Sequence, residues 1–151
     1  VVAAVRGHAV GAGMNLALAA DLRVVAEDAL LATGFLDIGV HPGGGHFTLM
    51  NRIAGAEVTA YLSLFGERIS GHEALRLGLV SAALPADEVE PRSLELAARV
   101  GRRPALARAT VRSFRLSVGP TALPWPVALE TERASQLWAL RNTLDFGRPS
   151  A

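Results

Sequence analysis

The sequence predicts an α/β fold, and three features carry that prediction. In the first third, short apolar runs that end at glycine or a charged residue alternate with a stretch rich in Ala and Leu. Beyond residue 56 the apolar positions fall at helical spacing, and glycine or proline closes each run. No low-complexity linker separates the two regions. The 151 residues give room for about one domain. A chain of this length buries roughly 70% of its unfolded surface, enough for a real core.

The elements follow in order. Val1 to Val5 is an apolar run that stops at Gly7 and reads as a buried strand. After Gly11-Ala12-Gly13, Met14 to Ala20 reads as a buried helix closed by Asp21. Leu22 to Ala26 and Leu30 to Thr33 are further strands, so strand-strand-helix recurs loosely. The loop His41-Pro42-Gly43-Gly44-Gly45 leads into a helix from His46 to Ile53, with Gly55 as its stop. Glu57 to Phe65 is amphipathic. Ser70-Gly71-His72-Glu73 has the spacing of a capping box: the Ser caps the N3 amide and the Glu reaches back. That helix ends at Gly78, and Leu79 to Leu84 is a short strand. Pro91 to Val100 is helical, with proline in a tolerated first turn. Pro104 opens another helix to about Leu116. After a loop marked by Pro120, Pro124 and Pro126, Val127 to Leu144 is the longest helix, and Phe146 to Ala151 is a polar tail expected to fray.

Composition excludes several chemistries. There is no cysteine, hence no disulfide, thiolate nucleophile or cysteine-ligated metal. All 15 basic residues are arginine, which removes a Schiff-base lysine and a lysine-bearing P-loop. The net charge of +1 gives no case for a nucleic-acid or membrane partner. The longest apolar stretch, Leu16 to Ala26, is interrupted by Asp21 and Arg23, and no signal peptide is visible. The expected location is the cytoplasm.

Two motifs fail on inspection. Gly11-Ala12-Gly13 lacks the third glycine of a dinucleotide fingerprint, because Leu16 stands there. His72-Glu73 lacks the second histidine of a zinc helix, because Arg76 stands there, so no metal is expected. The glycines offer a backbone site instead. Small residues at the start of a helix leave its first N–H groups open, and those groups with the helix dipole favour negative charge. Such donors can hold a developing oxyanion; the plainer reading is a tight turn that needs glycine.

Val1-Val2-Ala3-Ala4-Val5-Arg6-Gly7-His8-Ala9-Val10-Gly11-Ala12-Gly13, continued by Leu16 to Arg23, resembles the core motif of the crotonase superfamily, the enoyl-CoA hydratase/isomerase family. Ile38-Gly39-Val40-His41-Pro42-Gly43-Gly44-Gly45 resembles its Gly-x-x-Pro-Gly-x-Gly loop. Gly66-Glu67-Arg68-Ile69-Ser70, Glu73-Ala74 and Gly78-Leu79-Val80 resemble a third signature. The likeness covers roughly residues 1 to 115 well and the last helix loosely. It implies a spiral of strand-strand-helix units followed by helices that build homotrimers, often paired into hexamers. Residues 1–55 would be the C-terminal part of the spiral core and 56–151 the helical oligomerisation region, with the family's first half lying before Val1.

The same resemblance implies an acyl-CoA thioester as substrate, with coenzyme A as part of it and no separate cofactor. The thioester enolate would be stabilised in an oxyanion hole. Ala12 takes the position of one amide donor, helped by Gly13, and Gly11 and Gly13 are expected to contact the substrate; the other donor belongs to the first half. The family's acid positions fall at Asn15, Phe35 and Gly43, none of which is acidic. Asn15 can orient a water or a substrate oxygen but takes no proton. Phe35, Pro42 and Gly43 are expected to line the acyl site. Asp37 is the nearest carboxylate, and an extended segment would put it on the face of Phe35. His41 can act as acid or base near neutrality. His8 and His46 flank the glycine segments as weaker candidates, and Arg108, Arg112 and Arg115 share a helical face that can meet a phosphate. Without two glutamates, decarboxylation, thioester hydrolysis or simple acyl-CoA binding stand as alternatives to hydration or isomerisation.

Overall fold

The computed structural model describes residues 1–118 and, beyond them, Val127, Glu130, Ala134, Leu137, Trp138 and Arg141. Two compact units are present, Val1–Arg99 and Val100–Ala151. The first holds two three-stranded sheets. In one, β1 (Val2–Val5), β3 (Leu22–Ala26) and β6 (Ala82–Leu84) run parallel in that order. In the other, β2 (Ala9–Val10) pairs parallel with β4 (Leu31–Ala32), which pairs antiparallel with β5 (Arg68–Ile69). β1 and β2 are followed by helix α1 (Ala12–Ala19), and β3 and β4 by α2 (His46–Ser63). The loose recurrence in the sequence is thus a physical one: each unit adds one strand to each sheet, in register with the unit before.

The buried core draws on both sheets, with Val24, Val25 and Ala26 of β3 from the first and Ala9, Leu31 and Ile69 from the second. Arg23 through Ala26 are all buried, as expected of a central strand covered on both faces. Around it gather Met14 and Leu18 of α1, Met50 and Leu62 of α2, Leu79 and Val89, all nearly inaccessible. Side chains of this size each contribute about 1.5–3 kcal/mol on full burial. Arg23 is tolerated inside because its guanidinium donates to the carbonyls of Leu79 at 2.8 Å and Ala20 at 2.7 Å. Burial, then the like charge of Arg52, lowers its pKa, and Asp21 offsets part of that.

Most expected elements appear close to their sequence positions, with instructive differences. α1 opens at Ala12, two residues before the expected Met14, because Gly11 at φ 56° turns the chain out of β2. β2 and β5 are not legible as strands: two residues each leave no room for an alternation. The expected stop at Gly55 is a break inside α2, where φ 82° and ψ 174° separate two helical stretches. Helix α3 (Gly71–Arg76) is capped by Ser70, which accepts from the Glu73 amide at 3.2 Å. Glu73 does not complete a capping box, because Arg76, one turn on, takes both its oxygens at 2.5 and 2.8 Å. α4 (Val89–Gly101) starts before Pro91, which sits in the first turn where its missing N–H costs nothing.

The sheets continue through β5 and β6, and the compact units meet in the chain between Arg99 and Val100. In the second unit α5 spans Pro104–Val118. The expected helix from Val127 to Leu144 and the tail lie outside the described residues, apart from the six positions named above, each of them helical. Among the described residues no helix is long and apolar enough to cross a membrane.

Candidate active site at the start of helix α1

Gly11 makes the sharp turn that opens the site. Its N–H donates to the Ala32 carbonyl at 3.1 Å, closing the β2–β4 pair, and its carbonyl accepts the first helical bond from the Asn15 amide at 3.1 Å. The amides of Ala12, Gly13 and Met14 precede that first bond, and among the described residues no side chain caps them. Ala12 and Gly13 are exposed while Met14 is buried, so two small residues frame an open helix N-terminus. Asn15 lies three residues after Ala12 and shares its face.

Asn15 joins α1 to the glycine loop and to α2. Its Nδ2 donates to the Gly43 carbonyl at 2.9 Å, and its Oδ1 lies 2.7 Å from His46 Nδ1. His46 Nε2 lies 3.0 Å from Ser63 Oγ. A carbonyl only accepts, so Gly43 fixes the amide with its NH2 towards the loop and its oxygen towards His46. The oxygen then requires a hydrogen on His46 Nδ1, which leaves Nε2 of the neutral ring to accept from Ser63. His46 is 1% exposed, and burial lowers its pKa. Phe35 packs edge-on against the His46 ring at 5.2 Å, and Phe47 does the same at 5.7 Å. A Cβ on Gly44, where φ is 65°, would fall 3.1 Å from Asn15 Nδ2, so the loop must carry glycine there to close on Asn15.

Of the residues singled out in the sequence, Gly11, Phe35, Asn15 and Gly43 come together, and Pro42 is buried beside them in the loop. Ala12 and Gly13 lead directly into Asn15. His41 is exposed, with Nδ1 2.7 Å from the Pro42 carbonyl and its ring 6.2 Å from that of Phe47. Asp37 differs from expectation. The segment is a 3-10 turn over Leu36–Ile38, with Phe35 itself at φ −69° and ψ −44°, so positions 35 and 37 do not alternate as on a strand. The Asp37 carboxylate meets Arg68 at 2.9 Å on the surface. His8 is exposed between β1 and β2. Arg108, Arg112 and Arg115 do share one face, lining a shallow groove of about 500 Å³ with Ala107, Val111 and Leu116. Ser63 carried no signal in the sequence, and His46 only its place behind three glycines; their bonds span 17 and 31 residues.

The combination of paired parallel strands, a glycine turn into a bare helix N-terminus and a second glycine loop bonded to it defines a class. The family model for Enoyl-CoA hydratase/isomerase matches residues 1–135, and the chain belongs to that family. It is 40% identical over 129 residues to the probable enoyl-CoA hydratase EchA14 of Mycobacterium tuberculosis, covering 85% of this chain and 48% of that protein. It superposes with TM-score 0.86 and 31% identity on a probable enoyl-CoA hydratase/isomerase from Mycobacterium abscessus, covering 99% of this chain and 64% of the other. A putative enoyl-CoA hydratase from Thermobifida fusca YX in complex with CoA matches with TM-score 0.82 and 30% identity, over 95% of this chain and 55% of that one. The chain thus spans about half the length of the curated relatives it matches.

Proposed function

We propose that this chain forms part of an acyl-CoA enzyme that stabilises a thioester enolate, with the Ala12 amide as one donor of a backbone oxyanion hole. The observation that carries this reading is the uncapped, exposed start of α1, with Ala12 and Gly13 ahead of the first helical bond. Family membership and the CoA-bound relative support the substrate class. In this reading Gly11 and Gly13 keep the approach open, Phe35, Pro42 and Gly43 line the acyl side, and Asn15 orients a water or an acyl oxygen. His41 and Asp37 are the groups able to exchange a proton. Asp37 is the weaker of the two, since Arg68 already holds its carboxylate. Coenzyme A belongs to the substrate, and no further cofactor is required. The working protein is a cytoplasmic homotrimer or hexamer whose strand-strand-helix units continue a spiral, with no nucleic-acid or membrane partner.

A second reading is favoured by one observation. Asn15, Phe35 and Gly43 occupy the family's acid positions, and none can carry a proton. Enolate chemistry that needs the oxyanion hole but not two glutamates, such as decarboxylation or thioester hydrolysis, fits that set, as does a subunit that only binds acyl-CoA.

The test uses the protein from its complete reading frame. Crotonyl-CoA is added and loss of the enoyl absorbance followed for the parent and for Ala12→Pro. Ala12 is the first residue of α1, a position that accepts proline, so the substitution removes the amide donor with little damage to the helix. Turnover by the parent and its loss in Ala12→Pro are expected. Equal turnover in both removes Ala12 from the mechanism. A silent parent that still binds acyl-CoA moves the choice to the second reading.

A further inference from the structure

We propose that His46 is a positioning residue that acts on the acyl site through Asn15. This rests on the acyl-CoA reading above and adds a residue to it. His46 itself is sealed in: Asn15, Ser63, Phe35 and Phe47 surround it, and 1% of it is accessible. Asn15 stands on the path from His46 to the open end of α1. A carboxamide passes on no proton at neutral pH, so His46 is not an acid or base acting by way of Asn15. What it controls is geometry. Asn15 has two N–H groups and two oxygen lone pairs. Gly43 takes one N–H and His46 Nδ1–H takes one lone pair, which leaves one of each. The amide is held at both ends, so it cannot flip or change rotamer without breaking a bond, one of them part-buried. The site therefore receives a fixed, neutral donor–acceptor pair one helical turn beyond the Ala12 amide, where the family's pattern places a carboxylate.

Among the described residues, the pKa of His46 is shifted by burial and by no neighbouring charge. Its ring contacts are Phe35 and Phe47, and its hydrogen-bond partners are Asn15 and Ser63. Ser63 Oγ also lies 3.8 Å from Met50 Sδ, a weak partner to which its hydroxyl turns only when Nε2 does not need it. The neutral Nδ1–H tautomer follows from the bonding alone. It is the opposite of the tautomer that places hydrogen on Nε2 for donation to Ser63, so it has a spectroscopic signature.

The experiment has two readouts on the protein from its complete reading frame. The first is ¹⁵N NMR of the histidine rings in the parent and in Asn15→Leu. The expected result is a neutral Nδ1–H ring for His46 in the parent and a switch to Nε2–H once the Asn15 oxygen is gone. A parent ring already in the Nε2–H form, or one that ignores Asn15→Leu, overturns the pairing without touching the acyl-CoA reading. The second is a double-mutant cycle on acyl-CoA turnover, or on acyl-CoA affinity if the parent only binds. His46→Ala is expected to lower kcat by about 10-fold or more with KM nearly unchanged in the parent, and to have little effect in Asn15→Leu. Equal losses in both backgrounds show that His46 serves stability alone and overturn the positioning role. A parent that neither turns over nor binds acyl-CoA removes the acyl-CoA reading and this role with it, and the parent's own result tells that failure from the others.

Discussion

His46 is the buried residue whose protonation responds to burial nearest neutral pH. Its pKa is lowered because water is excluded from the charged form. The unfolded chain therefore binds more protons than the folded one at pH values between the folded pKa and the ordinary value of 6.5. In that window stability rises with pH; the contribution is complete above 6.5 and is lost as pH falls through it towards the folded pKa. Glu73 and Glu95 also lose stability on acidification, since salt-bridging arginines hold both carboxylates below their ordinary value, but they act at or below 4.5. Melting temperature is expected to drop from about pH 7.5 to about pH 5.5 in the parent and to drop less in His46→Gln. The same drop in both proteins would clear His46 of the effect. The sequence points to Asn15 through a motif, yet the bond to His46 is not legible in it. Hydrogen bonds that close across 31 residues leave no periodic trace.

Among the elements, glycine punctuation was read well and glycine contact was not. Gly55 and Gly78 announce a break and a stop because each needs a positive φ, at 82° and 74°. Gly71 is different: it reads as one residue of a capping box, while its actual burden is close approach. A Cβ there would stand 1.9 Å from the Ala26 carbonyl oxygen, with Val25 Cγ2 at 3.0 Å. Both are buried in β3, which has no freedom to retreat. Gly55 has nothing within 4 Å of the same position, so alanine there costs only the strained backbone, of order 1–3 kcal/mol. Gly71→Ala is expected to cost about 3 kcal/mol or more, because helix and strand must part. Urea unfolding of the two variants should rank Gly71→Ala as clearly worse; the reverse order would mean that α3 shifts freely off β3. Ser70→Ala, which removes only the cap on the Glu73 amide, should fall below both at about 1 kcal/mol.

For the whole molecule, the order of elements was legible because strand, glycine turn and helix repeat within the first 65 residues, and the family followed from three motifs in fixed order. The reaction was not legible, since the positions to which the resemblance assigns the acids hold Asn15, Phe35 and Gly43, which carry none. Assembly is the property that surface chemistry addresses best. Ile38 and Phe65 are 72% and 77% exposed, and Leu36 and Val40 are also open. They belong to one corner of the first unit: Gly66, next to Phe65, lies against Asp37, and Arg68 is bonded to Asp37 between Leu36 and Ile38. A lone exposed Leu needs no explanation, but apolar side chains gathered around one ion pair form a patch of the kind that an interface covers. If that protein is the proposed trimer or hexamer, sedimentation of the product of the complete reading frame will give a multiple of three protomers. Hydroxyl-radical footprinting will then find Ile38 and Phe65 protected. A monomer in which both side chains react freely would refute the assembly. A trimer in which both still react would place its contacts elsewhere and leave this corner open for a partner of another kind.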